Sequence, residues 1–418
     1  MKPRVLQLTP QLPYPPEQGT SLRNYNILRG LWRRYAVTLM SFVTEPPSAR
    51  ALDHLSGCDE VITIPAPRRT ITTRLLRMLT DRRPDMAHRL HSPAFNQALI
   101  ERLREGPDRA DAFQVVQIEG IELSFAVEIV RTVSPQTKIL FDDHNAEYEL
   151  QRRAYLADRS TPRRWAAAIY SRIQALRLRA YERQICNHVD HVVAVSDKDG
   201  RLLRDLGLTT PVSVIPNSID IQEYVPDEQE LRRYDLLFIG KMDYRPNVDA
   251  VQWFAQEVWP LLKAQRPDIT WAIVGKNPHP RLAYLGEEKG IALTGRVDKV
   301  QPYLFGSRIC VMPFRVGSGT RLKLIEAMAS GRAVVSTTVG AEGFDLRPGE
   351  HLLLADDPVA FAEAILNLLA DPQRRHELGV AAQQLANQYD WRLVAPRFYR
   401  IIDALLVDEN TGGDTLWQ

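Results

Sequence analysis

Short apolar runs alternate with longer segments of helical period along almost the whole chain. Val5–Leu8, Glu60–Ile64 and Lys138–Phe141 have the pattern of buried strands, whereas the apolar residues of Ser21–Arg33 recur every three or four positions, as in a helix. Strands that alternate with helices in this way predict an α/β protein with parallel sheets and with loops at the carboxyl ends of the strands.

The same pattern restarts after a polar, charged stretch at residues 219–233 (IDIQEYVPDEQELRR), which predicts a linker between two domains. A chain of 418 residues is also too long for one ordinary core. We expect a first domain over residues 1–218, a second over 234–395, and a helix with a loose tail over 396–418, the helix returning to the first domain. Two such domains that face each other would enclose a cleft, where ligands usually bind.

Composition and charge narrow the class of protein. The chain is 44% hydrophobic and 25% charged, as globular proteins are, and its formal charge of +2 argues against nucleic acid as a partner. Cys58, Cys186 and Cys310 lie far apart without metal-ligand spacing, which predicts buried, reduced thiols. The chain has neither a signal-peptide pattern nor a long apolar run, so we expect a cytoplasmic protein.

A glycine-containing loop after an apolar strand is the first candidate for chemistry. Gly317–Thr320 precedes a helix predicted from about Arg321 to Ser330. The free N–H groups and the dipole of a helix N-terminus favour an anion there. Lys323 and Glu326 are three residues apart and share one edge of that helix. A phosphate at the loop, a cation and a carboxylate together could bind a sugar nucleotide.

A second candidate lies at the end of the strand Lys138–Phe141, where the sequence continues DDHNAE. Polar residues at the carboxyl end of a buried strand occupy the place where α/β folds carry their chemistry. His144 is the only histidine in such a position. A lone histidine can equally be structural, and the residues by themselves leave both interpretations open.

Two stretches are rich in arginine. Arg68–Leu90 has seven arginines and two acids, and Arg152–Arg183 has nine arginines against Asp158 and Glu182, with apolar residues between them. Both could be solvated helices whose arginines pair with acids elsewhere. They could equally form a basic, apolar surface that docks on anionic lipid headgroups, with the protein peripheral on the inner membrane face. The sequence does not choose between the two.

Taken in order, these residues resemble the retaining glycosyltransferases of group 4. PFRVGSGTRLKLIEAMASGRAVVSTTVGAEG looks like their donor-binding signature. The other segments, which cover nearly the whole chain, are QLPYPPEQGTSLRNYNIL, DDHNAEYELQRR, VSVIPNSID, LLFIGKMDYRPNVDAVQWF, and GKNPHPRL followed by IALTGRV. The set is similar to the branch that makes exopolysaccharides and other surface glycans. The resemblance implies the GT-B fold, which is two facing Rossmann-like βαβ domains with a cleft between them.

The resemblance also implies roles for single residues. Glu326 would accept hydrogen bonds from the ribose hydroxyls of the nucleotide. Lys323 and Lys241 would hold the diphosphate, with Arg245 as a further cation. His144 would contact the donor sugar. The remaining implied donor-binding residues are Gly19 in the N-terminal loop, Arg296 and Val297 against the base, and Gly317, Ser318, Gly319 and Thr320 at the phosphate and sugar.

The sequence departs from the family pattern at two positions. The family often has a second glutamate eight residues before Glu326, where this chain has Ser318. That acid usually contacts the hydroxyls of the donor sugar, so its replacement puts the identity of the sugar in doubt. The N-terminal loop often has paired glycines, whereas Thr20 follows Gly19 here. A side chain at that position narrows the approach to the loop.

The resemblance implies a hexosyltransferase that moves a sugar, with retention, from a UDP- or GDP-sugar to a glycan or lipid-linked acceptor. The acid pairs Asp142-Asp143 and Asp356-Asp357 have no phosphate loop beside them in sequence, so we expect no metal and no other cofactor. Lysines and a helix N-terminus can neutralise the leaving group instead. The alternatives are a nucleotide-sugar epimerase or hydrolase on the same fold, and a non-catalytic subunit that binds sugar nucleotides. The lack of GxGxxG after the first strand disfavours a nicotinamide-dependent oxidoreductase.

Overall fold

The structure is a computed structural model that describes residues 2–16, 18–70, 77, 80–104, 112–159, 164–317 and 320–407. The chain forms two compact units. The first contains the residues up to Pro216 together with those from Trp391 onward, and the second is Asn217–Asp390. The second unit is therefore an insertion into the first.

The described part of the first unit holds a seven-stranded parallel sheet in the order β3-β2-β1-β4-β5-β6-β7. Its inner strands are short apolar runs buried on both faces, as expected when helices cover a parallel sheet, and the edge strands β3 and β7 are only partly buried. The strands are β1 (Arg4–Thr9), β2 (Ala36–Val43), β3 (Glu60–Pro65), β4 (Val115–Glu119), β5 (Lys138–Asp142), β6 (His191–Ala194) and β7 (Val212–Val214). The strand order reverses between β1 and β4, which makes their carboxyl ends the switch point of the sheet.

Helices of the first unit pack on both faces of this sheet. They are α1 (Gly19–Arg34), α2 (Ala49–His54), α3 (Pro93–Arg104), α4 (Phe125–Val133), α5 (Glu147–Arg159), α6 (Trp165–Cys186), α7 (Asp197–Arg204) and, from the far end of the chain, α14 (Trp391–Leu406). Val394, Phe398 and Ile402 of α14 join a buried cluster with Val5 of β1 and Leu28 of α1. The hydroxyl of Tyr35 also donates to Asp403 Oδ1 at 2.8 Å.

The second unit has a six-stranded parallel sheet within the described residues, in the order β10-β9-β8-β11-β12-β13. Its strands are β8 (Tyr234–Ile239), β9 (Trp271–Val274), β10 (Ile291–Gly295), β11 (Ser307–Met312), β12 (Ala333–Ser336) and β13 (Leu353–Leu354). The order reverses between β8 and β11. The helices are α8 (Arg245–Trp253), α9 (Trp259–Gln265), α10 (Gln301–Gly306), α11 (Leu322–Ala329), α12 (Pro358–Ala370) and α13 (Pro372–Ala386).

The unit boundaries differ from the expected domain boundaries. Residues 219–233, expected to be a linker, lie in the second unit. Tyr224 in this stretch is buried, and its hydroxyl donates to Glu326. Ile219 forms a bridge to Asp390, so the chain enters and leaves the second unit side by side. The polar composition of this segment indicated an exposed linker. It did not reveal that one aromatic residue, Tyr224, is buried and anchors the segment to the second unit.

The cysteines and the helices bear on two further expectations. All three cysteines are free thiols, with Cys186 and Cys310 buried. Cys58 is only half-buried, because it lies in the turn that precedes β3, so the expectation of burial was wrong for that residue. Among the helices that the structure describes, none combines the length and the apolar character needed to cross a bilayer.

Candidate active site

Several predicted donor-binding residues of the second unit gather at its switch point. β8 ends at Ile239 and leads into Gly240 and Lys241, and the neighbouring β11 leads through the glycine loop into α11. Because the carboxyl ends of adjacent parallel strands lie at the same sheet edge, the two segments meet there. The helix predicted from Arg321 to Ser330 is observed over Leu322–Ala329.

Lys323 is held in the first turn of α11 by polar and aromatic neighbours. Its Nζ donates to Asn247 Oδ1 at 2.8 Å and lies 5.2 Å and 5.0 Å from the ring centres of Phe238 and Phe314. Burial of the ammonium group lowers the pKa of Lys323 to about 7, and the charge of Arg321 acts in the same direction. Near neutral pH, an arriving anion would therefore meet a lysine poised to take up a proton.

Gly240 makes room for this arrangement. A Cβ atom at Gly240 would lie 2.7 Å from Lys323 Nζ and 2.7 Å from Asn247 Nδ2, closer than real Cβ atoms approach. The Asn247 Nδ2 also donates to the carbonyl oxygen of Lys241 at 2.8 Å. One buried asparagine thus connects the two predicted phosphate-binding lysines, and a side chain in place of Gly240 would displace the asparagine or Lys323.

Glu326 lies one turn further along α11 and is paired with Tyr224. The tyrosine hydroxyl donates to Glu326 Oε1 at 2.9 Å. Burial raises the pKa of Glu326, opposed by the Tyr224 hydrogen bond and by Lys323, and burial also raises the pKa of Tyr224. An ionised carboxylate offers about four lone-pair sites, so this bond leaves Glu326 able to accept further donors.

The loop before α11 has the features of an anion site. Gly317 has φ +127°, which favours glycine, and a Cβ there would collide with the guanidinium of Arg321. Arg321 stands at the N-cap of α11, and because its side chain carries only donors it cannot cap the first N–H groups. Thr320 Oγ1 accepts a hydrogen bond from Asn217. Ser318 and Gly319, both predicted to contact the donor, lie outside the described residues.

The other predicted donor residues are more exposed. Lys241 Nζ lies 3.5 Å from Asp243 Oδ1, an ion pair on a partly exposed surface. Arg245 is exposed at the start of α8. Arg296 and Val297 follow β10, the edge strand two places away from β8. Lys241 and Lys323 therefore share the partner Asn247 at the switch point, whereas Arg296 and Val297 follow the edge strand.

His144 belongs to a separate cluster, at the switch point of the first unit. Glu119 ends β4 and Asp142 ends the adjacent β5, two residues before His144. The Nε2 of His144 lies 2.8 Å from Glu119 Oε2. Burial disfavours the imidazolium, but the hydrogen bond to Glu119 and the charge of Asp142 outweigh it, so the pKa of His144 is raised.

Arg23 completes this cluster and was not predicted from the sequence. Its Nε and Nη2 donate to the two oxygens of Asp142 at 2.9 Å and 3.1 Å, and Nη1 donates to the carbonyl oxygen of Ile215. Arg23 lies on α1, which begins at Gly19 rather than at about Ser21, so Gly19 is the first residue of a helix and not part of a loop. The bidentate pair fixes α1 against the end of β5.

Two buried carboxylates anchor the backbone just after His144. Glu182 accepts from the N–H groups of Glu147 and Tyr148 at 2.6 Å and 2.9 Å, which caps the N-terminus of α5. Asp199 Oδ1 accepts from the N–H of Ala146 at 3.3 Å. The turn that carries His144 is thus tied down on the α5 side by side chains from α6 and α7.

One set of side chains in the described residues has metal-ligand geometry. Candidate ligand atoms of Glu119, Asp142 and His144 all lie within 4.8 Å of one another. Asp142 is already paired in bidentate fashion with Arg23, so a metal cation would have to share the carboxylate with a guanidinium. Of the other acid pair, Asp356 accepts from Thr338, and Asp357 caps α12. Neither set is a ready divalent-cation site.

Comparison with known proteins agrees with two Rossmann-like domains and defines the class of fold. Sucrose-phosphate synthase from Thermosynechococcus elongatus superposes with a TM-score of 0.70 at 18% identity, covering 97% of this chain and 99% of that one. HepE from Anabaena, solved with UDP-glucose, gives a TM-score of 0.66 at 14% identity, covering 96% and 99%. The fold is that of the GT-B glycosyltransferases, as the sequence predicted.

Each unit contains a segment that matches a family model. Residues 18–223 match the model described as Glycosyltransferase Family 4, and residues 233–371 match the one described as Glycosyl transferases group 1. The chain thus carries the two domains of a group-1/group-4 glycosyltransferase, which confirms the coarse part of the resemblance.

The alignments with curated relatives cover only part of this chain and part of each relative. A protein of the Klebsiella pneumoniae cps region is 29% identical over 37% of this chain and 42% of that protein. The phosphatidyl-myo-inositol mannosyltransferase of Mycolicibacterium smegmatis is 28% identical over 54% and 60%. A component of the human phosphatidylinositol N-acetylglucosaminyltransferase is 26% identical over 52% and 47%. The chain spans about half the length of the curated relatives that it matches.

Proposed function

We propose that the protein is a glycosyltransferase that moves a hexose from a UDP- or GDP-sugar to a glycan or lipid-linked acceptor with retention of anomeric configuration. The observation that carries the proposal is the pair Lys323 and Glu326 on α11, held by Asn247 and Tyr224 directly after the glycine loop. A diphosphate at the loop would be met by a cation, and a ribose beyond it by a carboxylate. The HepE structure with UDP-glucose supports a nucleotide-sugar ligand.

The proposed chemistry follows from charge. Transfer forms a bond between an acceptor hydroxyl oxygen and the anomeric carbon and breaks the bond from that carbon to the diphosphate, which leaves with the electron pair. The acceptor hydroxyl gives up its proton in the same exchange. That proton passes to an oxygen of the departing diphosphate. Lys323, Lys241 and the N–H groups at the start of α11 would stabilise the charge that develops on the diphosphate, because preorganised donors need little reorganisation.

Glu326 would fix the nucleotide rather than take part in bond breaking. Its carboxylate can accept from two ribose hydroxyls while Tyr224 holds one oxygen. His144 would contact the donor sugar, and its hydrogen bond with Glu119 would orient the imidazole. Ser318 stands where related enzymes often have an acid that contacts the donor sugar. The proposal therefore does not specify which hexose is transferred.

We also propose that the reaction needs no metal. The support is Arg23, which already neutralises Asp142 in the set with metal-ligand geometry. Turnover should persist after dialysis against EDTA, and added Mg²⁺ or Mn²⁺ should change the rate by less than about twofold. A rate that falls to background with EDTA and returns with one divalent cation would refute metal independence.

A donor screen tests the main proposal. UDP-, GDP- and other sugar nucleotides are added to the protein, and the one that binds should raise its melting temperature, because a ligand of the folded state stabilises it. Lys323→Ala and Glu326→Gln should each lose most of that shift and at least about tenfold in turnover. Lys289→Ala, at an exposed lysine of the same unit, is the matched control and should keep both.

Product analysis separates the remaining functions. Radiolabelled sugar recovered on a glycan or lipid acceptor supports a transferase. Free sugar or an epimerised nucleotide sugar, without any glycosylated product, would instead identify a hydrolase or an epimerase. Binding of a sugar nucleotide without turnover on any acceptor would identify a non-catalytic subunit.

The acceptor is proposed to be lipid-linked, and the protein to work in the cytoplasm at the inner membrane face. The support is the set of relatives whose names include phosphatidylinositol. Extracted lipid acceptors should be glycosylated faster than soluble oligosaccharides of the same sugar composition. The reverse order of rates would argue for a soluble glycan.

A further inference from the structure

An exposed stripe runs along the outer side of α6. Its members, here named the α6 stripe, are spaced alternately by four and three residues and therefore lie on one line along the helix. They are Trp165, Ile169, Arg172, Leu176, Arg179 and Arg183. The three apolar members are 60%, 62% and 65% exposed, which is unusual for large apolar side chains on one face of a helix.

The apolar half of the stripe borders a groove between α5 and α6. The groove has a volume of about 310 Å³ and is lined by Tyr155, Arg159, Trp165, Ala168, Ile169, Arg172, Ile173 and Leu176. Trp165 is fixed at its rim, because its Nε1 donates to the carbonyl oxygen of Arg159 at 3.3 Å. The surface therefore offers an anchored indole and a concave apolar floor with arginines at the edge.

On α5 and α6, the acidic side chains are buried or half-buried and the exposed charged side chains are basic. In their described residues the acids are turned inward: Glu149, Asp158 and Glu182 are buried, and Glu147 is half-buried. Glu149 pairs with Arg152 and Arg153, and Asp158 with Arg164. The exposed charged side chains of the same helices, with the residue that precedes α6, are all arginines, namely Arg152, Arg159, Arg164, Arg172, Arg179 and Arg183.

Three described arginines of the other basic stretch have acidic partners. Arg69 pairs with Asp85, Arg83 with Asp81, and Arg89 with Glu122. For these residues the interpretation as paired, solvated arginines holds. Residues 71–76 and 78–79 of that stretch lie outside the described residues.

Charge complementarity selects the occupant of the α6 stripe. A second copy of the chain could supply an apolar stripe of matching spacing, but either orientation of the pair would cover arginines with no exposed carboxylate on α5 or α6 to receive them. Lipid phosphates would receive them, since a guanidinium binds phosphate in bidentate fashion. Tryptophan also favours the membrane–water interface.

We propose that the α6 stripe and its groove dock the protein on an anionic phospholipid surface, with Trp165, Ile169 and Leu176 at the acyl boundary and the arginines on the phosphates. The proposal deepens the lipid-linked acceptor suggested above, but vesicle binding needs no sugar nucleotide. An experiment can therefore refute membrane docking without refuting the lipid-linked acceptor, and the reverse.

Co-sedimentation with vesicles tests the proposal. The full chain should bind phosphatidylcholine vesicles that contain phosphatidylglycerol, bind pure phosphatidylcholine far more weakly, and be released by salt. Ile169→Glu/Leu176→Glu should weaken binding more than about tenfold. Arg172→Gln/Arg179→Gln should weaken it about fivefold for each arginine removed. Both pairs are exposed, so the fold and the donor-induced melting shift should be kept.

Matched controls change the same chemistry elsewhere on the first unit. Leu393→Glu alters an apolar residue that is 60% exposed on α14, and Arg50→Gln/Arg201→Gln removes two exposed arginines. Both controls should bind vesicles as the unaltered chain does. Equal binding by the stripe variants and the controls would overturn the proposal. A concentration-dependent dimer in sedimentation velocity that the glutamate pair abolishes would overturn it in favour of a second copy.

Discussion

Lys323 combines a function that needs positive charge with surroundings that disfavour it. Burial and the charge of Arg321 lower its pKa to about 7. The hydrogen bond to a buried asparagine and the two aromatic rings beneath the ammonium group favour the charge but do not outweigh burial. A bound diphosphate would restore the charge, because an anion nearby favours the protonated form. Donor binding and protonation of Lys323 should therefore be coupled.

This coupling predicts a pH profile for donor binding. Above pH about 7 the free protein loses the proton from Lys323, so the Kd of the sugar nucleotide should rise, approaching tenfold per pH unit. Titration calorimetry in two buffers of different ionisation enthalpy should detect proton uptake near pH 8. Lys323→Arg should flatten the profile, since arginine stays charged, and Lys289→Ala should leave it unchanged. A flat profile in the unaltered chain would contradict the assignment.

The residues that position the site were harder to predict than the residues that act in it. Lys323 and Glu326 are neighbours in sequence and stand in a recognisable motif. Their partners Asn247 and Tyr224 are 76 and 102 residues away in the chain, and Arg23 is 119 residues from Asp142. Such pairs come together only through strand order, which no local pattern encodes. A tyrosine isolated in a polar stretch was the one available signal.

At the scale of elements, the N-terminus of α5 shows two effects in opposition. An acid in the first turn of a helix is normally favoured by the helix dipole. Glu147 is the first residue of α5, yet burial and the nearby charge of Glu122 raise its pKa to about 8. The desolvation cost therefore exceeds the benefit of the dipole at this position.

Replacing this acid should stabilise the protein at alkaline pH. Because the folded-state pKa of Glu147 lies above its unfolded value, ionisation opposes folding as pH rises from about 4.5 to about 8. Glu147→Gln should raise the free energy of unfolding by roughly 1–2 kcal/mol at pH 8.5 and leave it unchanged at pH 4. Urea unfolding at both pH values measures the difference. Glu128→Gln, exposed on α4, should show no such dependence, and a cost at pH 8.5 would refute the sign.

Helix interruptions limit prediction from periodicity. The helical period after Pro246 predicts Val248, Val251, Phe254, Val258 and Leu261 on the buried face. Phe254–Val258 forms a π-helical turn between α8 and α9, which adds a residue per turn. Leu261 is therefore exposed, while Trp259 and Leu262 are buried. The sequence predicted the strands of both units closely, since a strand needs only a short apolar run.

At the scale of the whole molecule, the first unit is completed by a helix from the far end of the chain. Trp391, Val394, Phe398 and Ile402 of α14 are buried, and the last three pack with residues of α1, β1 and β2. The restart of the strand pattern predicted two domains. The second domain was expected to end at residue 395 with a returning helix after it, whereas the first unit resumes at Trp391, the first residue of α14.

Truncating α14 at its core should destabilise the first unit. Phe398→Ala removes a ring that is 1% exposed and should cost about 3–5 kcal/mol. Calorimetry should show one transition at lower temperature, while the transition that responds to the sugar nucleotide stays in place. Leu393→Ala on the same helix should change stability by less than about 0.5 kcal/mol. A shift in the donor-responsive transition alone would contradict the division into units.

The insertion of one unit into the other has a consequence for synthesis on the ribosome. Everything from Asn217 to Asp390 must be translated before α14 emerges, which takes on the order of ten to thirty seconds at bacterial elongation rates. The second unit can fold during that interval. The first must wait with Val5, Val37 and Leu39, which belong to the buried cluster with α14, lacking part of their cover. We therefore expect the nascent first unit to expose part of this apolar cluster to solvent until α14 has been made.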